Sequence, residues 1–342
     1  MIFGLTSLVT AINETYDYII VGGGISSLLV ANYLSEDANR TVLVIENCCV
    51  DTTSLPVMPY FGFQVNRASM HPITSAPDPN LADRTFPVSV TNVVGDGSIV
   101  NGMMFNHGSS ADYDACEEPG NPGRGWEGLE PHFKKAATFT LPSESTTKEF
   151  RVTYDEEAYW EGPVQVTISS YNNKNIHRIL SEKRLLRPHN HAPGPKLLTG
   201  THIKEILFTA LNASFTATGV RITKHNTALT TTVHATHEVI LAASAIFTPH
   251  LLMVSGIGPA SATNNNPPKH DLPAVGPNFQ DRPIASTTFH VSNLTLPNPS
   301  TITTNSNTQP PKPDLSAHAK TDNALAMLSP HTSPPTTMPS PQ

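Results

Sequence analysis

Apolar residues near the amino terminus change their spacing twice within a short stretch. Residues 18–21 and 41–45 are continuous apolar runs rich in β-branched side chains. Between the runs, apolar residues recur at helical spacing, at Leu28, Leu29, Ala31 and Leu34. Short continuous runs are typical of buried strands, whereas the wider spacing is typical of a helix with one buried face. The pattern therefore predicts a strand–helix–strand unit.

Further along the chain, the apolar pattern predicts more strands and another helix. Residues 163–168 alternate like a half-buried strand, and residues 203–208 and 219–223 indicate a strand pair. Residues 238–243 form another apolar run, which leads through a small-residue turn into an apolar helix at 244–252. A strand and helix that return after a long insertion are typical of a doubly wound α/β sheet.

The chemistry of the first unit lies in its turn and at the end of its second strand. Gly22, Gly23 and Gly24 follow the first strand directly, and Glu46 ends the second strand 22 residues after Gly24. Such glycines let the backbone approach a pyrophosphate, the helix N-terminus attracts its charge, and the acid binds a ribose hydroxyl. The arrangement predicts a dinucleotide site for NAD or FAD, because an acid disfavours the 2′-phosphate of NADP.

The glycine pattern is incomplete at its third position. Ser27 stands where G-x-G-x-x-G has its last glycine. That glycine serves close packing of helix on strand. Ser27 is therefore expected to loosen this contact without abolishing phosphate binding.

Composition narrows the possible partners. The 342 residues carry a net charge of −7 and no basic run, which argues against nucleic acid. No apolar run reaches the length of about 18 residues that a membrane span needs, so no membrane partner is expected. Three cysteines indicate no disulfide framework, and the histidine spacings lack the acids or thiols of a metal site. The oligomeric state is left open.

The compartment is also left open by the sequence. Residues 1–12 are mildly apolar but lack a positive n-region, so a signal peptide is one reading and a cytoplasmic protein the other. The sequons at Asn13, Asn39, Asn212 and Asn293 matter only if the protein is secreted. Residues 283–342 hold 11 prolines and a single aromatic residue, Phe289, so this tail is expected to be disordered, above all from about 297 onward.

Four separated segments resemble one known family, the glucose–methanol–choline (GMC) oxidoreductases, which use FAD to oxidise alcohols. The nucleotide unit is the first segment. Residues 93–114 are similar to the family's flavin-proximal signature, and residues 198–203 to the strand whose backbone contacts adenine. Residues 242–259, extended by 275–281, are similar to its second signature. The resemblance covers roughly residues 16–282.

The resemblance implies an α/β fold, with a doubly wound, Rossmann-like FAD/NAD(P)-binding domain and a fragment of an antiparallel-sheet substrate domain. The FAD domain is expected at 13–150 and 196–282, the partial substrate-domain insertion at 151–195 and the disordered tail at 283–342. The implied cofactor is FAD, and the implied partner is a small-molecule alcohol. The small residues and Asn101 of the second segment suit close approach to an isoalloxazine, so Asn101 is expected on the same rim as Gly24. The expected cofactor-binding residues are Gly22, Gly24, Ser27, Glu46, Val93, Ser98, Asn101, Gly102, Met103, Met104, Ile203 and Ala243.

The sequence also departs from the family pattern. Asp96 and Ser244 stand where the family has glycine, and residues 283–342 show no segment like the family's catalytic histidine. We therefore assign no catalytic residue, and whether the chain is an active enzyme stays open. Three hypotheses remain: an FAD-dependent oxidoreductase acting on CH–OH donors, a truncated relic that binds FAD weakly or not at all, and an NAD-dependent dehydrogenase.

Overall fold

The computed structural model describes part of the chain: residues 15–51, 69–101, 107–150, 153–158, 161–162, 164–168, 194–211, 214–225, 227, 229–262, 268–279 and 325–328. The chain divides into two compact units. One comprises Met1–Pro277 with Ala324–Gln342, and the other is Asn278–Asn323, of which Asn278 and Phe279 are described. The elements below all belong to the first unit.

Strands and helices alternate through the first part of the chain, and long strands follow. The strands are β1 (Thr15–Val21), β2 (Val42–Ile45), β3 (Met70–Thr74), β4 (Pro87–Thr91), β5 (Ala137–Thr140), β6 (Val164–Ile168), β7 (Lys196–Leu198), β8 (Thr201–Leu211), β9 (Ser214–Lys224), β10 (Thr230–Leu241), β11 (Ile257–Gly258), β12 (His270–Asp271) and β13 (Leu325–Leu328). The helices are α1 (Ile25–Leu34), α2 (Gly97–Val100), α3 (Ser110–Glu117), α4 (Trp126–Ala136), α5 (Glu144–Phe150) and α6 (Ser244–Val254).

The main sheet has six strands in the order β7-β2-β1-β10-β9-β8. Strand β1 lies between β2 and β10 and is parallel to both, and β7 is parallel to β2. Strands β9 and β8 continue the sheet in antiparallel pairing. The sheet is therefore a parallel centre with an antiparallel extension, and the predicted Rossmann-like α/β class is confirmed.

The parallel centre is buried because its residues are apolar on both faces. All four residues of β2 are buried, and so are Ile19, Ile20 and Val21 of β1. On one face, Leu28 and Ala31 of α1 pack with Ile20 and Val44. Leu29, which the helical pattern also placed on the apolar stripe, is 43% exposed, so that part of the prediction is wrong.

The other predicted strands form, with one difference in pairing. Residues 203–208 and 219–223 lie in β8 and β9, residues 238–241 end β10, and residues 164–168 form β6. However, β6 is parallel to both β5 and β13, so the described strand of the insertion does not show the antiparallel pairing expected there. An antiparallel pair is formed instead by β3 and β4.

One element lies within the tail that was expected to be disordered. Leu325–Leu328 forms β13, which is parallel to β6, so the expectation is wrong for these four residues. The physical reason is local, because LAML is an apolar run within a proline-rich segment. The other tail residues after 279 lie outside the described part of the chain, and the proposed domain boundaries stay a prediction. None of the helices in the described ranges is both long and apolar enough to cross a lipid bilayer.

Candidate functional site

The carboxyl ends of β1, β2 and β10 meet at one edge of the main sheet, where they border a cleft of about 250 Å³. Ligands of open α/β sheets bind outside the carboxyl ends of the strands, where neighbouring connections diverge. Predicted residues that line this cleft are Gly22, Gly24, Glu46, Val93, Ile203 and Ala243.

The turn after β1 brings backbone to the floor of the cleft. Gly22 has φ +101°, and its N–H donates to the carbonyl of Ile45 at 2.9 Å. A Cβ at Gly22 would lie 2.5 Å from the carbonyl oxygen of Ala242. Both the backbone angle and the contact therefore require glycine, because a side chain would meet backbone that cannot rotate away.

Glu46 lies beside this turn, at the end of β2, as predicted. One carboxylate oxygen accepts from the Gly23 N–H at 2.7 Å, and the other accepts from the Cys48 N–H at 2.9 Å. Its backbone is tied to the neighbouring strands, since the Thr201 N–H donates to the Glu46 carbonyl at 3.1 Å. The carboxylate is thus held at the rim of the cleft, where the sequence analysis placed a group for a ribose.

Ser27 lies under the cleft rather than in its wall. The side chain is 1% exposed, and its hydroxyl donates to the Ala242 carbonyl at 3.2 Å. The serine therefore joins α1 to the end of β10. The expected loosening of this contact relative to glycine stays a prediction.

The turn after β10 forms the opposite wall. Ala243 precedes α6, and its N–H donates to the Thr248 hydroxyl at 3.0 Å. Ser244 follows in left-handed backbone at φ +70°, and its hydroxyl accepts weakly from the Ile246 N–H at 3.4 Å.

The loop between β4 and α2 forms a third wall. Val93 is buried and lines the cleft. Ser98 is also buried, and its hydroxyl donates to the Gly95 carbonyl at 2.7 Å, so it shapes the loop from within. Asn101 directly follows α2, is exposed, and is not part of the cleft wall formed by the described residues. Gly102, Met103 and Met104 lie outside the described residues, so the flavin-side assignment stays a prediction.

Several lining residues were not expected from the sequence. His71 on β3 reaches the cleft and packs on Phe247 of α6, with ring centroids 4.5 Å apart. His202 and Lys204 flank Ile203 on β8, and His250 projects from α6. His202 and Lys204 lie in or directly beside the predicted segment 198–203, so the sequence indicated their region. No local sequence pattern marks His71 as part of the site.

Burial shifts the pKa values of three groups in the cleft, Asp96, His71 and His202. Burial raises the pKa of the Asp96 carboxyl above its ordinary value, and the negative Glu46 raises it further. Burial lowers the pKa of His71, while Glu46 opposes that shift. Burial also lowers the pKa of His202, and Lys204 adds to the effect.

Comparison with known protein families gives a match that spans most of the chain. The model of the family described as GMC oxidoreductase matches residues 16–175 and 161–284. Among curated proteins, the chain is 30% identical over 334 residues to the "Dehydrogenase xptC" of Emericella nidulans, a match that covers 86% of this chain and 53% of that protein. The chain thus spans about half the length of this relative.

Solved structures share the same fold. An FAD-dependent oxidoreductase from Chaetomium thermophilum is 30% identical, with a TM-score of 0.66 over 75% of this chain and 51% of the other. A fungal aryl-alcohol oxidase is 27% identical, with a TM-score of 0.70 over 86% of this chain and 57% of the other. With the family match over residues 16–284, these likenesses show that the chain belongs to the GMC oxidoreductase family, whose members are FAD-dependent flavoproteins.

Proposed function

We propose that this chain forms the FAD-binding part of an oxidoreductase that acts on the CH–OH group of a small-molecule alcohol. The observation that carries the proposal is the meeting of a glycine turn, a helix N-terminus and a carboxylate at one edge of a parallel sheet. Gly22 and Glu46 supply the turn and the carboxylate. Family membership selects FAD among the dinucleotides that such an edge can hold.

The residues present suit the adenosine end of FAD. Glu46 has both oxygens aligned by backbone donors, so its carboxylate is held ready to accept from ribose hydroxyls. Ile203, with the backbone beside it on β8, would form the wall against adenine. The Gly22–Gly24 turn has no side chain that would keep a pyrophosphate from the backbone. The fit is poorer beside Gly24, where Asp96 brings a carboxylate.

FAD, when bound, supplies the acceptor for the hydride that leaves the carbinol carbon. The chain's own residues bind and orient the cofactor in this proposal. Support for an alcohol as substrate comes from the solved fungal aryl-alcohol oxidase, whose name states its substrate class. No residue is assigned as the catalytic base, and the activity is proposed for the whole protein.

Two alternatives lead to different binding behaviour. A relic would bind FAD weakly or not at all, and Asp96 favours weak binding. An NAD-dependent dehydrogenase would use the same turn and acid, because NAD also has a free 2′-hydroxyl. Both alternatives can be tested by direct binding to the purified chain.

The decisive experiment is equilibrium titration of the chain with FAD and with NADH, followed by flavin fluorescence and calorimetry. We expect FAD to bind, ADP-ribose to displace it, and FMN to leave it bound, because the described half of the site faces the adenosine end. Binding of NADH with no binding of FAD would support the dehydrogenase instead. Absence of binding by FAD, NADH and ADP-ribose alike would contradict the proposed function.

A matched pair of variants locates the binding. Glu46→Gln is expected to weaken FAD binding by roughly tenfold or more, because a hydrogen bond to a charged group contributes about 1.5–3 kcal/mol. Glu36→Gln removes the same charge at an exposed position directly beyond α1 and is expected to change nothing. If both variants bind like the original chain, Glu46 is not the ribose ligand. Reduction of an electron-accepting dye by the FAD-loaded chain with aromatic and aliphatic alcohols then tests the oxidation.

A further inference from the structure

Asp96 has a backbone conformation that its side chain disfavours. It precedes α2 with φ +46° and ψ −128°, a region that residues with a Cβ rarely adopt. The neighbouring backbone imposes this conformation, because the Gly95 N–H donates to the Gly23 carbonyl at 2.8 Å and the Asp96 N–H to the Val93 carbonyl at 3.1 Å. Strained residues of this kind cluster at functional sites, so the side chain that tolerates the strain warrants an explanation.

The side chain of Asp96 lies against the start of α1. A Cβ built on Gly24 would lie 3.4 Å from both the Cβ and one carboxylate oxygen of Asp96. Gly24 is the N-cap of α1, so this carboxylate lies beside the end of the helix where N–H groups have no partner within the helix. The place is the one that a phosphate would take on approaching the glycine turn.

The carboxyl groups of Asp96 and Glu46 both line the cleft and interact with each other. In the ranges that the structure describes, no lysine, arginine or histidine forms an ion pair with Asp96 or Glu46. The charged and titratable groups that line the cleft with Asp96 are Glu46 from the end of β2, His71 from β3, His202 and Lys204 from β8, and His250 from α6. Glu46 is the ionisable group that acts on Asp96, and it has the same sign.

We infer that Asp96 sets the dinucleotide affinity of this site, because its carboxylate occupies the phosphate position at the start of α1 and repels a pyrophosphate. The inference rests on the proposed dinucleotide site and names the residue of this chain that weakens binding there. A neutral residue at position 96 removes the repulsion, and glycine also removes the bulk and the backbone strain. The effect is confined to ligands that carry phosphate.

The test compares variants of Asp96 with matched variants of Asp83. Asp83 also has positive φ, +55°, but it is exposed on the loop before β4 and does not line the cleft. Asp96→Asn and Asp96→Gly are titrated with FAD, ADP-ribose and adenosine, and Asp83→Asn and Asp83→Gly serve as controls for charge and for backbone strain. Thermal unfolding of each protein without ligand shows whether it is folded.

We expect Asp96→Asn to bind FAD and ADP-ribose about tenfold more tightly than the original chain. The reason is that the repulsion between like charges a few ångströms apart at a partly buried site is at least as large as the free energy of a tenfold change in affinity. Asp96→Gly should bind them at least as tightly. Adenosine should bind equally to all the proteins, and the Asp83 variants should bind like the original chain. Unchanged FAD affinity in folded Asp96→Asn, with FAD bound by the original chain, overturns this inference alone. If no variant binds FAD or ADP-ribose, the proposed site fails as well.

The pH dependence of ADP-ribose binding gives a second measurement, which would not respond to Asp96 if this residue had only a structural role. Neutralising Asp96 by protonation should strengthen ADP-ribose binding as the pH falls, and burial with the nearby Glu46 brings this change to a higher pH than an ordinary aspartate shows. The pyrophosphate of ADP-ribose does not titrate in this range, and the other groups of the cleft are the same in both proteins. The expected result is a steeper rise in affinity for the original chain than for Asp96→Asn. Equal slopes would contradict the role of Asp96.

Discussion

Two strand–turn–helix units lie side by side at the carboxyl edge of the main sheet, and their turns are built differently. The unit β1–α1 turns through three glycines, whereas the unit β10–α6 turns through Ala242, Ala243 and Ser244. Neither helix has a side-chain cap at its start. Each turn contains a residue at positive φ, Gly22 at +101° and Ser244 at +70°.

The difference shows where a side chain can be accommodated. The two turns touch, so that a Cβ on Gly22 would meet the Ala242 carbonyl, while Ser244 is exposed and keeps its side chain at the expense of backbone strain. The first turn therefore exposes backbone groups to a ligand, whereas the second exposes side chains.

Gly22→Ala should be the most damaging single change. The methyl group would lie 2.5 Å from the Ala242 carbonyl and would force positive φ on alanine, so we expect a loss of about 2–5 kcal/mol of unfolding free energy. Gly120→Ala is the matched control, because Gly120 has the same φ of +101° and open space around it. Its loss should be about 1–2 kcal/mol from backbone strain alone. If both variants lose the same free energy of unfolding in urea, the contact with the Ala242 carbonyl does not restrict the side chain at position 22.

The two helices are also fixed differently at their ends. The buried Ser255 hydroxyl donates to the Leu251 carbonyl at 2.6 Å and accepts from the Ile206 N–H at 2.8 Å, which joins the end of α6 to β8. Ser255→Ala leaves a buried N–H unpaired and should lower the unfolding free energy by about 1–3 kcal/mol.

The corresponding residue after α1 provides the control. The Ser35 hydroxyl is also buried but donates within its own helix end, to the Asn32 carbonyl at 3.0 Å. Ser35→Ala should cost about 0.5–1.5 kcal/mol, because no donor on another element loses its partner. An effect of Ser35→Ala larger than that of Ser255→Ala in chemical denaturation would reverse this part of the comparison.

Ser244→Gly should make the second turn resemble the first. Glycine removes the strain of the left-handed backbone. Against this gain, it loses the weak contact to the Ile246 N–H and increases the conformational entropy of the unfolded chain. We expect a net stabilisation of about 0.5–1 kcal/mol, measured as a higher urea midpoint. Ser244→Ala, which keeps the strain and lacks the hydroxyl, should not stabilise. A destabilising Ser244→Gly would show that the serine hydroxyl matters more than the backbone.

The smallest effect on stability is expected at the opposite edge of the sheet from the cleft. There, Asp17 of β1 is hydrogen-bonded to the residue before β2 and to a residue of β10. Its carboxylate accepts from the Thr41 N–H at 2.8 Å and from the Thr236 hydroxyl at 2.7 Å. The Thr41 backbone bond, followed by the Thr236 and Thr41 hydroxyls, lowers the pKa of Asp17 from 3.8 to about 2. Because the folded pKa is the lower one, its stabilisation is present above pH 3.8 and is lost as the pH falls towards 2.

Asp17→Asn should therefore flatten the acid-side loss of stability in that window. Acid titration followed by far-ultraviolet circular dichroism measures it, and Asp37→Asn, an exposed aspartate paired with Arg40, is the control. An unchanged acid profile for Asp17→Asn would mean that the carboxylate does not hold the amino ends of the strands together.

The sequence was most informative where the structure is local. The order strand, glycine turn, helix, strand and Glu46 was predicted, because contiguous apolar runs specify buried parallel strands and a glycine turn specifies backbone at positive φ. The same reasoning placed β8, β9 and the end of β10. It was wrong for Leu29, since helical spacing does not show how wide the buried stripe is. It was wrong for Leu325–Leu328, since composition averages over a short apolar run.

Contacts distant in sequence were decided by tertiary structure. The partner of the Ser27 hydroxyl, the Ala242 carbonyl directly after β10, is 215 residues away along the chain and could not be identified from the sequence. His71 lines the cleft because β3 leads to it, and nothing near it in sequence marks that position.

The sequence alone was sufficient to predict the Rossmann-like unit, because its apolar runs and glycines lie in one continuous stretch of the chain. Only the tertiary structure decided what else meets at that edge. The hydrogen bond from Gly95 to Gly23 carries Asp96 to the start of α1. Since an approach between residues so far apart in sequence depends on the packing of whole elements, the contact between the Asp96 side chain and Gly24 is seen only in the folded chain.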